Sequence, residues 1–185
     1  MFRKQPIYAG EQGAAEFERV VRAHQSMVFS IALRMLGDRM MAEDVAQEVF
    51  MQLYAMTQQW QSAEHVTAWL RRTTVYRAID ATRRAKARPE CAFNVEPSFG
   101  IDVGDPLFSL RCKELMAILS PEARAVMVLR YQEDLRPTEI ATTLNMRLAT
   151  VKSHLKRSLE SFREKLGVRT RPVAVWQRED EQAHG

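Results

Sequence analysis

Helix-breaking residues are spread very unevenly along this chain of 185 residues, and that restricts its fold more than any other feature. No glycine or proline stands between Gly37 and Pro89. Strong helix formers fill that stretch, and no regular polar-apolar alternation of the strand type runs through it. Pro89, Pro97, Gly100, Gly104 and Pro106 then crowd together. Charge shifts at the same place. Residues 1–88 carry 13 basic and 9 acidic side chains, and residues 109–170 carry 12 and 7. Between them, residues 89–108 carry no basic side chain and four acidic ones: Glu90, Glu96, Asp102 and Asp105. A joint change of breakers and charge marks a linker. The expected architecture is all-α: two small helical domains, 1–88 and 109–170, joined by a flexible acidic linker, 89–108. Residues 171–185 form a tail that is either disordered or docked through Val173, Val175 and Trp176.

The total charge of +4 says little about partners, and composition serves mainly to exclude. A chain that is 46% hydrophobic has enough apolar side chains for a core. No run approaches the ~18 apolar residues of a membrane span. Met1 to Pro6 is not followed by the ~7–15 apolar residues of a secretory signal, so a cytoplasmic setting is expected. Cys91 and Cys112 match no metal or redox spacing, and His24, His65, His154 and His184 are scattered. No metal and no cofactor are expected. No nucleophile–base pair or glycine-rich phosphate loop suggests an enzyme.

Apolar spacing places the helices. Phe17, Val20, Val21 and His24 lead into Val28, Ile31, Ala32, Met35 and Leu36. Gly37 ends that helix, and Asp38 caps the next. There Val45, Val49, Leu53 and Met56 form a stripe with Ala46 and Phe50 beside it. A polar stretch, Gln58 to Glu64, precedes a helix expected over about Thr67 to Ala87. In the second block Asp105-Pro106 reads as an N-cap and N1 pair, with Leu107, Leu110, Leu115, Ile118 and Leu119 following. Ser120-Pro121-Glu122 opens a further helix. A short helix is expected from Pro137 to Leu144 and a long one from Leu148 to Leu166.

That final pair reads as a helix-turn-helix. Asn145 stands at the turn, where the left-handed conformation is often needed and Asn tolerates it. Val151, Leu155, Leu159, Phe162 and Leu166 share one face of the long helix. Arg147, Thr150, Lys152, Ser153, His154, Lys156 and Arg157 lie at its start or on the other face. A helix buried on one side and basic on the other suits a DNA major groove. An ordinary solvated amphipathic helix is the plainer reading, and the short-helix, tight-turn, long-helix order favours DNA.

The first block holds two unlike helices. One carries Arg71, Arg72, Arg77, Arg83, Arg84, Lys86 and Arg88 interleaved with Trp69 and Tyr76, a mixture that suits unstacked DNA. Trp69 is expected in the buried stripe, Tyr76 is open to either role, and Trp60 in its polar stretch is the better base contact. The other, Met40 to Gln59, has no Lys or Arg and displays Glu43, Asp44, Gln47, Glu48 and Gln52. An acidic, Met-rich helix suits a protein partner better than DNA.

Phe29-Ser-Ile-Ala-Leu-Arg-Met-Leu-Gly-Asp38, Ala42-Glu-Asp-Val-Ala-Gln-Glu-Val-Phe50, Ala68-Trp-Leu70 and Arg77-Ala-Ile-Asp80 with Arg83-Arg84 resemble region two of the bacterial extracytoplasmic-function (ECF) RNA polymerase sigma factors. Leu119-Ser-Pro-Glu122, Leu129-Arg-Tyr131, Glu139-Ile-Ala141 and Thr150-Val-Lys-Ser153 resemble their region four. The resemblance covers about residues 14–166 in the family's order. It implies a promoter-specificity factor that binds core RNA polymerase through Asp44, Gln47, Glu48 and Phe50. It implies minus-ten DNA contacts from Trp60, Arg71, Arg72, Tyr76, Arg83 and Arg84. It implies minus-thirty-five contacts from Arg147, Thr150, Lys152, Ser153, His154, Lys156 and Arg157. An anti-sigma factor is an implied partner. The chain departs from the family pattern at Val75, often Arg or Thr, at Tyr76, commonly Asn, at Arg136, usually a capping Ser, at Asn145 and Ala149, commonly Gly, and at His154, commonly Arg. Two other readings compete. One is a sigma mimic that sequesters an anti-sigma factor, and the other is a simple helix-turn-helix regulator that uses the second block alone.

Overall fold

The computed structural model describes residue 8, residues 10–56, residue 60 and residues 62–87 and 106–167, with side chains omitted at 86–87 and 106–110. Seven helices and no strands occur among the described residues. They are α1 (Gly10–Leu36), α2 (Arg39–Tyr54), α3 (Ala63–Ala87), α4 (Pro106–Ala117), α5 (Pro121–Tyr131), α6 (Pro137–Leu144) and α7 (Leu148–Leu166).

Local signals fix most of the boundaries. Gly37 closes α1 at φ +70°, a left-handed conformation that costs glycine little. Asp38 then caps α2, its Oδ1 accepting from the Met41 N–H at 2.7 Å. Ser120 accepts from the Ala123 N–H at 3.2 Å and sets Pro121 at the start of α5. Asn145 makes the α6–α7 turn at φ +49°. Arg136 offers α6 no side-chain cap, so Glu139 stabilises that start by accepting from the Arg136 N–H at 2.6 Å.

Other expectations are corrected. Helix α3 begins at Ala63 rather than near Thr67, because the Ser62 hydroxyl accepts from the His65 N–H at 3.3 Å. Helix α4 begins at Pro106, as expected for a proline at the first helical position, and so starts within the 89–108 segment. Ile118 and Leu166 are about half exposed, while Ser158, between Leu155 and Leu159, is buried on the inner face of α7. The linker conformation, Cys91, Arg88, Asp105, the side chains of Leu107 and Leu110, and the tail lie outside the described residues.

The apolar side chains gather into two clusters. One lies within the first three helices and holds Val28, Ala32, Val45, Val49, Leu53, Val66 and Leu70. The other crosses from the first block to the second. Ile31 and Met35 of α1 and Val75, Ala78 and Ile79 of α3 join Val126, Leu129, Ile140, Leu144, Val151 and Leu155. Burial of such side chains stabilises by roughly 1.5–3 kcal/mol each, so this shared core holds the two blocks together.

Candidate nucleic-acid interface

Helix α2 buries Ala42, Val45, Val49 and Leu53 against α1 and α3. Its opposite face exposes Glu43, Asp44, Gln47 and Glu48, and leaves Met40 76% and Met51 64% exposed. Methionines this open, beside carboxylates and with no cation between Met40 and Tyr54, make an adaptable acidic surface. Phe50 is half-buried against the first cluster, so it supports this face more than it extends it.

Helix α3 buries Val66, Leu70, Thr74, Val75, Ala78, Ile79 and Ala81. Trp69 flanks that stripe and packs against the first cluster. It is half-buried and lines a surface hollow of about 410 Å³ with Gln52, Arg72, Thr73, Tyr76, Arg77 and Asp80. Trp60 packs edge-on to Trp69 with ring centroids 5.6 Å apart. Its indole nitrogen is enclosed, which differs from the open loop position expected for it. Arg72 lies 5.6 Å from the centroid of the Tyr76 ring, a cation–π distance. Arg77 donates to the side-chain Oε1 of Gln52 at 3.0 Å and lies 3.8 Å from Glu48, so it ties α3 to α2.

Three of the cations and aromatics on α3 point at the second block. Arg71 pairs with Glu133 at 2.8 Å, Arg83 pairs with Glu122 at 3.0 Å, and the Tyr76 hydroxyl donates to the Leu144 carbonyl at 2.8 Å. Arg84 and Arg72 are exposed. Burial, and then the nearby charge of Arg71, hold His24 below its ordinary pKa, so its imidazole is neutral beside that guanidinium. Burial raises the Glu122 carboxyl, but backbone and Arg83 hydrogen bonds outweigh it and leave the pKa below its usual value.

Helix α7 presents the second surface. Val151, Leu155 and Ser158 are buried. Arg147, Ala149, Thr150, Ser153, His154 and Arg157 line a hollow of about 350 Å³ on the outer face. Thr150, Ser153, Lys156 and Arg157 are exposed, and Lys152 and His154 are half-exposed. Hydroxyl, imidazole and guanidinium groups thus surround the first turns of a helix seated on α5 and α6. A hydrogen-bonding lining of this kind matches base edges and phosphates.

The sequence contained no signal that Glu122, Glu133 and Arg124 contact the first block. Of the lining residues, Asp80 ends the Arg77-Ala-Ile-Asp80 motif, and the neighbourhood of Gln52 to Trp69 and Arg72 follows from α2–α3 packing. Among the described residues no cluster of His, Cys, Asp or Glu suited to a metal occurs, and no helix is long and apolar enough to cross a membrane.

Residues 20–88 match the Sigma-70 region 2 family, and residues 110–162 match Sigma-70, region 4. The ECF RNA polymerase sigma factor SigL of Mycobacterium tuberculosis (strain Erdman) is 30% identical over 164 residues, covering 84% of this chain and 93% of its own length. The chain belongs to the ECF RNA polymerase sigma factors. The ECF sigma factor SigE of Mycolicibacterium smegmatis is 31% identical over 166 residues, covering 85% of this chain but 64% of its own length. SigW of Bacillus subtilis is 27% identical over 181 residues, covering 89% of this chain and 95% of its own length. The fold of this sigma factor is shared with the sigma factor RpoE of Bartonella quintana, solved in complex with the anti-sigma factor NepR. The TM-score is 0.67 at 18% identity, covering 84% of this chain and 99% of that one.

Proposed function

We propose that this sigma factor docks on core RNA polymerase through α2 and reads the two promoter elements with α3 and α7. The observation that carries the reading is the contrast between surfaces. Asp44, Gln47 and Glu48 lie exposed on a helix that has no Lys or Arg after Arg39, whereas α3 and α7 each carry several exposed basic side chains. Phosphates repel the first surface and attract the other two. Phe50 backs the polymerase contact. Trp60, Arg71, Arg72, Tyr76, Arg83 and Arg84 engage the minus-ten strand, with Trp60 packed edge-on to Trp69. Arg147, Thr150, Lys152, Ser153, His154, Lys156 and Arg157 engage the minus-thirty-five duplex. The domains are 1–88 for polymerase and minus-ten binding and 109–170 for minus-thirty-five binding, with 89–108 as the acidic linker and 171–185 as a tail. The factor traps unstacked bases and leaves bond formation to the polymerase, so it carries no catalytic group of its own. It works in the cytoplasm. An anti-sigma factor is a further partner, supported by the complex in which its Bartonella quintana structural neighbour was solved.

Asp44→Arg tests the docking assignment. Asp44 is exposed, so the fold and its circular dichroism stay intact. The variant loses capture of core polymerase in a pull-down. Undiminished capture by a folded variant removes α2 from the polymerase interface.

A further inference from the structure

We propose that Tyr8, just ahead of α1, is a positioning residue that seats Trp60 for its contact with the minus-ten strand. The proposal rests on the assignment of Trp60 to that strand.

Tyr8 is only 4% exposed, although it precedes the first helix. It belongs to the first apolar cluster, against which Trp60 and Trp69 also pack. Two residues of α1 bring it there. One is Gly13. A Cβ at that position would stand 2.6 Å from the Tyr8 carbonyl oxygen and 2.8 Å from the Tyr8 Cα. Those are backbone atoms, which cannot rotate aside as a flexible side chain does, so a glycine is needed for the approach. Glycine is a poor helix former, and this close approach explains its place inside α1. The other residue is Phe17, one turn further on, whose ring centroid lies 5.3 Å from that of Tyr8.

From Tyr8 the contacts run to both ends of the stretch between α2 and α3. Phe17 meets Tyr54, the last residue of α2, edge-on at 5.1 Å. At the far end Trp60 stands three residues before Ala63, the start of α3. Its indole nitrogen is enclosed and has no acceptor in direct hydrogen-bonding geometry. The Tyr8 hydroxyl is the group that it approaches. Burial raises the pKa of that hydroxyl, and the indole N–H of Trp60 offsets part of the rise, so the hydroxyl stays neutral at physiological pH. Trp60 as a whole is half-buried, so its exposed area lies on atoms other than this nitrogen. The polar end of the indole is thus turned inward to Tyr8, and Trp69 bounds the ring on another side. A base that stacks on a ring fixed in this way does not bear the cost of ordering it. Trp60 needs such support more than its companions do. Arg71, Arg72, Tyr76, Arg83 and Arg84 are all held by α3, and Trp60 lies outside that helix.

Tyr8→Ala and Gly13→Ala test this in the full chain, since each removes the support by a different route. Gly13→Ala leaves every core side chain in place and improves the helix, so it keeps the test decisive if Tyr8→Ala unfolds. Fluorine NMR of the chain labelled with 5-fluorotryptophan, with the Trp60 signal assigned through Trp60→Phe, reads the seat itself. Both variants move that signal toward its position in the urea-unfolded chain while helical circular dichroism is retained. Holoenzyme assembled with core polymerase reads the consequence. The probe is a single-stranded oligonucleotide of the non-template strand around minus ten, taken from a promoter mapped with the wild-type chain. Tyr8→Ala, Gly13→Ala and Trp60→Ala each weaken its binding by roughly fivefold or more, the loss of about one stacked base. Capture of core polymerase is unchanged. Tyr8→Ala combined with Trp60→Ala binds no worse than Trp60→Ala alone, because the seat has nothing left to hold. Losses that multiply in the double variant mean a general structural role and overturn the proposal, as does an unmoved Trp60 signal. Weak binding by Trp60→Ala alone, with the other two variants normal, overturns the proposal and leaves the base contact standing. Normal binding by Trp60→Ala removes the base contact and the proposal with it.

Discussion

At the scale of single residues, Arg124 does the most to join the two blocks. Its guanidinium donates to the Met35 carbonyl at 2.5 Å and to the Met116 carbonyl at 2.9 Å. Those carbonyls belong to the last turns of α1 and α4, whose C-terminal ends favour a cation. Burial lowers the pKa of the side chain, yet a guanidinium stays charged at neutral pH, so the hydrogen bonds keep their charge-assisted strength. Arg124→Met keeps the apolar stem and removes every donor. Net hydrogen bonds to charged groups contribute about 1.5–3 kcal/mol, so this variant loses on that order of stability. The urea midpoint falls accordingly while helical content in buffer is retained. An unchanged midpoint means that water serves these carbonyls as well as Arg124 does.

At the scale of elements, α6 and α7 were readable from sequence almost to the residue. Pro137 and the left-handed turn at Asn145 bracket one helix, and the apolar stripe of Val151 and Leu155 runs into the other. Local chemistry determines those boundaries, so a linear reading reaches them. It reached less far on α3. The start at Ala63 depends on the Ser62 cap within a polar stretch, and Trp69 packs at the edge of the core because Leu70 and Val66 take the innermost positions. Helix α7 allows a direct check of its outer face. Lys152→Ala with Lys156→Ala removes two cations from the surface assigned to phosphates. Each phosphate contact contributes about one unit to the salt slope of binding, so binding of duplex DNA weakens and the slope flattens by roughly one to two units. An unaltered slope means that this face does not lie along the backbone.

At the scale of the whole molecule, two blocks are legible in the chain, and packing makes them touch. Breakers and charge announced the segment 89–108, but no periodicity reports that Ile31, Met35, Val75 and Ile79 share a core with Val126, Leu129 and Leu144. The apolar stripes of α1 and α3 are wide enough to serve their own block and the other, and a one-dimensional pattern does not say which. The same holds for Glu133 and Glu122, ordinary acidic residues until Arg71 and Arg83 are placed opposite them. The departure from the family pattern at Tyr76 gains a physical role here, since its hydroxyl reaches the end of α6. Polymerase docking and promoter reading both serve one claim, that this chain directs polymerase to promoters. The most direct measurement adds the purified chain to core RNA polymerase and sequences the transcripts made from genomic DNA. The account predicts discrete start sites that depend on the chain and that disappear with Asp44→Arg. Tight duplex binding without polymerase, together with no chain-dependent transcript, would contradict it.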